Sequence, residues 1–196
     1  MKRKQPDIDT SITNLNECLR QIEEIRARRL VEITRTENQK RLQIAAPSPT
    51  AKASGMYWLY TDYTDTEIEG CSNLPARDKK AMKGAIPIAQ LALMHRSLLH
   101  VAPRKETEQF RVVYNGIAGL TLGVRGRIHQ HFNGGDGTGC LNILNTTLGD
   151  LTRWRISYVL FDANGNHGLK IDYAKHGKHL ERMWRLTFGW PLLCRH

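Results

Sequence analysis

The 196-residue sequence has no run of apolar residues approaching the ~18 that a membrane-spanning helix needs, which argues against an integral membrane protein. Its amino terminus, Met1-Lys2-Arg3-Lys4-Gln5-Pro6-Asp7, leads into no apolar stretch, so no secretory signal is expected. Four cysteines, Cys18, Cys71, Cys140 and Cys194, are scattered without a Cys-x-x-Cys pair to offer half of a zinc site. Reduced thiols in a cytoplasmic protein are the expectation. The glycine-rich stretch Asn133-Gly134-Gly135-Asp136-Gly137-Thr138-Gly139 lacks the Gly-Lys-Ser/Thr ending of a phosphate-binding P-loop and has no strand directly before it, so it reads as a surface loop. Acidic residues are scarce: 19 Asp and Glu face 29 Lys and Arg, giving a formal charge of +10 and an isoelectric point near 9.7. Such an excess points to an acidic partner, nucleic acid or an anionic surface. What is present suffices for a core: 40% of residues are hydrophobic and 24% charged, which excludes a wholly disordered chain.

Residues Ser11 to Gln43 carry Ile12, Leu15, Leu19, Ile22, Ile25, Leu30 and Ile33 at helical spacing, and they predict one long amino-terminal helix with a thin apolar seam. Ser11, or Asn14 with Glu17 as a capping box, are its candidate starts. The seam must be covered by the rest of the chain or by a second subunit, and the alternative is an arm dedicated to embracing DNA. Two prolines in Ala46-Pro47-Ser48-Pro49-Thr50 then break the helix into a linker, which divides the chain into an arm and linker, 1–54, and a body, 55–196. The basic excess is shared: 11 basic and 7 acidic residues lie up to Ser54, 18 and 12 after it.

Within the body, Gly55 to Tyr60 is rich in aromatic residues and predicts a strand; Thr61 to Asn73 reads as loop. Ala76 to Leu99 is helical in tendency with breaks near Gly84 and Pro87. Phe110 to Tyr114 predicts a second strand, closed by Asn115-Gly116, and Val124 to Phe132 a helix dense in cations, with Arg125, Arg127, His129 and His131. Arg153 to Phe161 predicts a third strand and Lys175 to Phe188 a helix containing Glu181, stopped by Gly189-Trp190-Pro191. The expected fold class is α+β: a small three-stranded mixed sheet flanked by helices, with a helical insertion about 75–104 and the long amino-terminal helix.

Gly55-Met56-Tyr57 and Val113-Tyr114-Asn115-Gly116 resemble the two signatures of the GIY-YIG nucleases, and Arg127-Ile128-His129-Gln130-His131 resembles the Arg-x-x-x-His element on the helix that follows them in that family. Glu181 falls where the family carries a metal-binding glutamate. The likeness covers Gly55 to Cys194, with an insertion of about fifty residues between the tyrosines, similar to the type II restriction endonuclease branch. Pro191-Leu192-Leu193-Cys194 departs from the family, which places an asparagine after this proline.

The resemblance implies a site-specific double-stranded DNA endonuclease of a restriction–modification system, hydrolysing phosphodiesters with one Mg²⁺ per active site held by Glu181. Tyr57 is then the implied base, Tyr114 orients water or phosphate, Arg127 clamps the scissile phosphate and His131, four residues on, relays or accepts a proton. A phenol titrates near ~10, so Tyr57 needs help from neighbouring charge. A homodimer on a symmetric target and a cognate DNA methyltransferase as genetic companion are implied as well. Lys79, Lys80, Lys83 and Arg104 of the insertion, with Arg125 and His129, are candidate DNA contacts. Each residue has a plainer reading: strand tyrosines, arginines on passive phosphates, and a solvated Glu181 paired with Lys178 or Arg185. A non-catalytic basic DNA-binding protein is the alternative from another class, and a homing or mobile-element nuclease the alternative within the superfamily.

Overall fold

The computed structural model describes residues 8–36, 42–75, 84–97, 109–135, 139–162 and 168–195. The fold is α+β. Its sheet is larger than the sequence predicted, and antiparallel throughout: five strands in the order β2-β1-β5-β3-β4, where β1 is Val31–Arg35, β2 Leu42–Ile44, β3 Gly55–Thr61, β4 Arg111–Ala118 and β5 Trp154–Leu160. The two extra strands come from the segment expected to be helix. The amino-terminal helix α1 spans Ile8–Arg28, not Ser11–Gln43, so Ser11 and Asn14 lie inside it and start nothing. After Arg28 the burial pattern changes from helical to alternating, with Val31 and Ile33 buried and Glu32 and Thr34 exposed. Three β-branched residues in four positions favour the pleated form there, and the alternation needs a two-residue period that a helix cannot supply. β1 pairs with β5 through Val31 and Ile156, which joins the amino-terminal segment to the sheet.

β3 is buried at all seven positions because both of its faces are covered. Tyr57 and Leu59 face one cluster with Val124, Ile128 and Phe132 of helix α4 (Gly123–Asn133). Met56, Trp58 and Tyr60 face the other, with Leu19 and Ile22 of α1 and Leu180 and Trp184 of helix α5 (Tyr173–Phe188). Buried Arg26 fastens α1: its guanidinium donates to the Tyr60 hydroxyl (2.5 Å) and to Glu23 (2.7 Å from Nε), while Trp184 Nε1–H donates to the same carboxylate at 2.8 Å. A buried cation needs such partners, and here they tie α1 to β3 and α5 at once.

Two further short α-helices lie among the described residues. Helix α2 (Asp65–Glu69) lies in the stretch expected to be loop; Thr64 and Glu67 close a reciprocal capping box at its start. Helix α3 (Ile88–His95) lies within the insertion expected about 75–104, of which residues 75 and 84–97 are described. Asn115 and Gly116, expected to end the second strand, lie inside β4 and pair with Trp58 and Tyr57. Among the described residues no helix is long and apolar enough to cross a membrane, and the four cysteines are free thiols.

Candidate functional site

The site is built on β4, the last strand of the sheet. Tyr57 stands opposite Gly116 across the β3–β4 ladder, and its phenol lies over that glycine: a methyl group on Gly116 would sit 2.5 Å from the Tyr57 hydroxyl oxygen and 2.8 Å from Cζ. A mid-strand glycine is thus what lets a tyrosine cross its neighbour. Gly55 has a comparable origin, since a Cβ there would meet the Val159 carbonyl oxygen at 2.1 Å. The Tyr57 and Tyr114 rings stack with centroids 6.2 Å apart on the same face of the sheet.

α4 brings the next two groups. It starts at Gly123, whose φ of +67° and approach to the Lys52 backbone (2.7 Å for an added Cβ) no side chain would tolerate. Val124, Ile128, His131 and Phe132 form its buried stripe, which carries His131 under the two tyrosines; the imidazole is 4.4 Å from the Tyr114 ring centroid and 5.6 Å from that of Tyr57. Arg127, one turn earlier, is half-buried and donates from Nη1 to Gln130 Oε1 at 2.6 Å.

The protonation of this group follows from its hydrogen bonds. The Leu141 backbone N–H donates to His131 Nδ1 at 3.3 Å, so that nitrogen carries a lone pair. In the neutral ring the proton then sits on Nε2 and is donated to the Tyr57 oxygen, 2.9 Å away. Complete burial, with the Arg127 cation adding to it, pushes the His131 pKa down to about 3 and keeps the ring neutral. With this tautomer His131 donates to Tyr57. Burial also pushes the Tyr57 phenol up to about 12, with the Arg127 charge working against it, and raises Tyr114 well above its ordinary value.

Glu181 approaches from α5. Burial raises its carboxyl above the ordinary range, opposed by Arg185, Arg182 and Lys178. Its Oε1 accepts from Arg185 Nη2 at 2.8 Å, which decides between the two pairings open in the sequence. Arg185 is itself buried and donates from Nε to Asn115 Oδ1 (2.7 Å) and from Nη2 to the Asn115 carbonyl (3.2 Å). The Cys194 thiol, 3.2 Å from the same Oδ1, completes the support. Tyr57 and Tyr114 both feel the Glu181 and Arg127 charges, so the five predicted residues share one electrostatic neighbourhood at β4.

The supporting residues Asn115, Arg185 and Cys194 were not singled out as a unit from the sequence; the only linear trace is the four-residue step from Glu181 to Arg185. Of the candidate DNA contacts, Arg125 is exposed on the first turns of α4. His129 is half-buried, its pKa lowered by burial and then by Arg125, and its Nε2 makes no hydrogen bond among the described residues. Lys79, Lys80, Lys83 and Arg104 lie outside the described residues. Arg153 and Arg155 are engaged: Arg153 stacks on Tyr63 at 3.7 Å and pairs with Asp62 and Glu67, and Arg155 lies over Phe110 and pairs with Glu32. Asp150 and Asp172 cap the turn Leu151–Arg153 and α5.

Among the described residues no three His, Cys, Asp or Glu side chains group as a ready-made metal cage. A lone carboxylate does fit Mg²⁺, which keeps several waters and takes one or two protein carboxylates beside substrate phosphates. Glu181 has that form, one oxygen fixed by Arg185 and the second without a hydrogen bond among the described residues. No family model matches the chain, and no curated protein and no solved structure matches it.

Proposed function

We propose that the protein is a Mg²⁺-dependent endonuclease of double-stranded DNA, resembling the type II restriction branch of the GIY-YIG superfamily. The observation that carries this reading is the meeting of Tyr57, Tyr114, Arg127, His131 and Glu181 at β4, from two strands and two helices that are far apart in sequence. The antiparallel trio β4-β3-β5 with α4 and α5 supports it, since these carry the signatures in the order that the resemblance requires. So does the net charge of +10, which suits a phosphate backbone.

In this reading Arg127 clamps the scissile phosphate with a charge that does not titrate away. Negative charge on Tyr57 is favoured by Arg127, through its charge and a hydrogen bond, and by a hydrogen bond from Tyr114, while His131 Nε2 lies at hydrogen-bond distance from the same oxygen. Tyr114 fixes the Tyr57 ring by stacking and orients water or phosphate. Arg185, held by Asn115, fixes Oε1 of Glu181. Glu181 is the residue that would hold a magnesium ion, which would supply charge neutralisation and make water more acidic. Cutting both strands with one site per chain calls for a homodimer, and a cognate methyltransferase belongs to the same reading as genetic companion.

Incubating purified protein with plasmid and phage DNA in Mg²⁺ should produce discrete fragments, and EDTA should stop their formation. Glu181→Ala should lose cutting while keeping DNA affinity. Salt-sensitive binding without cleavage in any divalent cation refutes the enzyme and leaves a basic DNA-binding protein.

A further inference from the structure

We propose that Tyr173 is a third phenol of the site, one that donates a hydrogen bond to a non-bridging oxygen of the scissile phosphate. The inference rests on the nuclease reading and adds a contact to it.

Asp172 caps α5 by accepting from the backbone N–H groups of Ala174 and Lys175, which sets Tyr173 in the first turn. Tyr173, Gly177 and Glu181 follow at four-residue steps and so line one face of α5. Two glycines make room for the ring. An added Cβ on Gly177 would lie 3.0 Å from it, and one on Gly119 3.0 Å from its edge and 3.5 Å from its hydroxyl oxygen. The phenol is therefore held between α5 and the segment leaving β4, where Gly119 accepts the N–H that opens α4. That is the segment leading to Arg127, and the ring lies over the turn of α5 leading to Glu181.

Three features separate Tyr173 from a packing tyrosine. It is half-buried, and its hydroxyl oxygen would lie 3.5 Å from a Cβ on Gly119. Its hydroxyl makes no hydrogen bond among the described residues, although Tyr57, Tyr60 and Tyr158 each have one. Finally, burial raises its pKa and the charges of Glu181 and Arg127 bear on it in opposite directions, which places it within their field. A protonated phenol on the Glu181 face of α5 offers an uncharged donor where phosphoryl oxygens gain charge, and such donors act chiefly in the transition state.

The test is Tyr173→Phe, which keeps the ring in its slot and removes only the oxygen. On a duplex carrying the mapped cleavage site, kcat should fall tenfold or more, while KM, DNA affinity in EDTA and the melting temperature stay at wild-type values. Unchanged kcat, or a change confined to KM or to melting, overturns the proposal and leaves a packing role. Absence of cleavage by the wild-type protein itself overturns the nuclease reading, a result seen before the variant is made.

Discussion

Replacing His131 by Gln should flatten the acid side of the stability curve. The imidazole is fully buried, faced by the Tyr57 and Tyr114 rings and by Arg127, and its pKa lies at about 3 against 6.5 in an exposed chain. Between those two values the unfolded chain binds a proton that the folded one refuses. Stability therefore rises with pH across this window and is lost as pH falls from about 6.5 toward 3, at ~1.4 kcal/mol per unit once well inside it. From pH 7 to pH 4.5 His131 alone should remove roughly 2–3 kcal/mol. With a urea slope near ~2 kcal/mol/M, the midpoint moves by about 1 M. Glutamine has an N–H for Tyr57 and an oxygen for the Leu141 N–H, and it does not titrate. The variant should be about 1 kcal/mol less stable at pH 7 from altered packing, yet match or exceed the wild type at pH 4.5. Carboxylates and the other histidines titrate in both proteins and cancel in the difference. Urea melts at both pH values supply the comparison. Parallel loss of stability in the two proteins would mean that His131 takes up its proton normally, and the neutral donor assigned to Tyr57 would be wrong.

Three further outcomes follow from the packing. Gly116→Ala puts a methyl 2.5 Å from the Tyr57 hydroxyl oxygen, so calorimetry should show a loss of about 1–3 kcal/mol, or roughly 2–10 °C in melting temperature, with at least tenfold slower cleavage as the phenol is displaced. Arg185→Met leaves Glu181 and Asn115 without their buried partner; a cost of about 3–5 kcal/mol and a raised Mg²⁺ requirement for cleavage are expected, and a stability equal to wild type would show that Arg185 holds nothing. Ile22→Ala should cost about 2–4 kcal/mol in a denaturant melt, because α1 is a wall of the core; a change below half a kcal/mol would mean that the helix is not docked on the sheet.

The elements easiest to read in the sequence were those whose side chains state both the period and the burial. Gly55 to Tyr60, Arg153 to Phe161 and Lys175 to Phe188 were placed to within about two residues of β3, β5 and α5. The hairpin of β1 and β2 was misread because Leu30 and Ile33 continue the helical stripe of α1 by chance, and the stronger cue was the alternation beginning at Val31. Asn115-Gly116 was misread for a different reason. Asparagine–glycine is a turn signal in isolation. Here both residues answer tertiary demands, Arg185 on one side and the Tyr57 ring on the other, and local sequence carries neither. The same holds for Tyr173, whose slot depends on Gly119, which lies in another element.

These demands converge on the register of β4. Tyr114, Asn115 and Gly116 are consecutive, so their side-chain directions alternate between the faces of the sheet. Tyr114 and the Gly116 gap serve the tyrosines and α4, while Asn115 serves Arg185 and through it Glu181. A slip of one residue would exchange the two faces and dismantle both halves of the site together. The register is set by a bulge: Leu59 pairs with Tyr114 but Tyr60 pairs with Val112, which leaves Val113 as the extra residue. The Val113 carbonyl accepts the Leu193 N–H at 2.8 Å, and the neighbouring Cys194 thiol lies against Asn115. The segment after Pro191, which lacks the asparagine of the resembled family, thus locks the bulge with its backbone and braces Asn115 with its sulfur. Leu193 and Cys194 are both fully buried, as a lock on a strand edge must be if water is not to compete for the freed carbonyl. Disrupting that segment should consequently disturb Glu181 and Tyr57 alike, although it lies on neither of the helices that present the catalytic candidates.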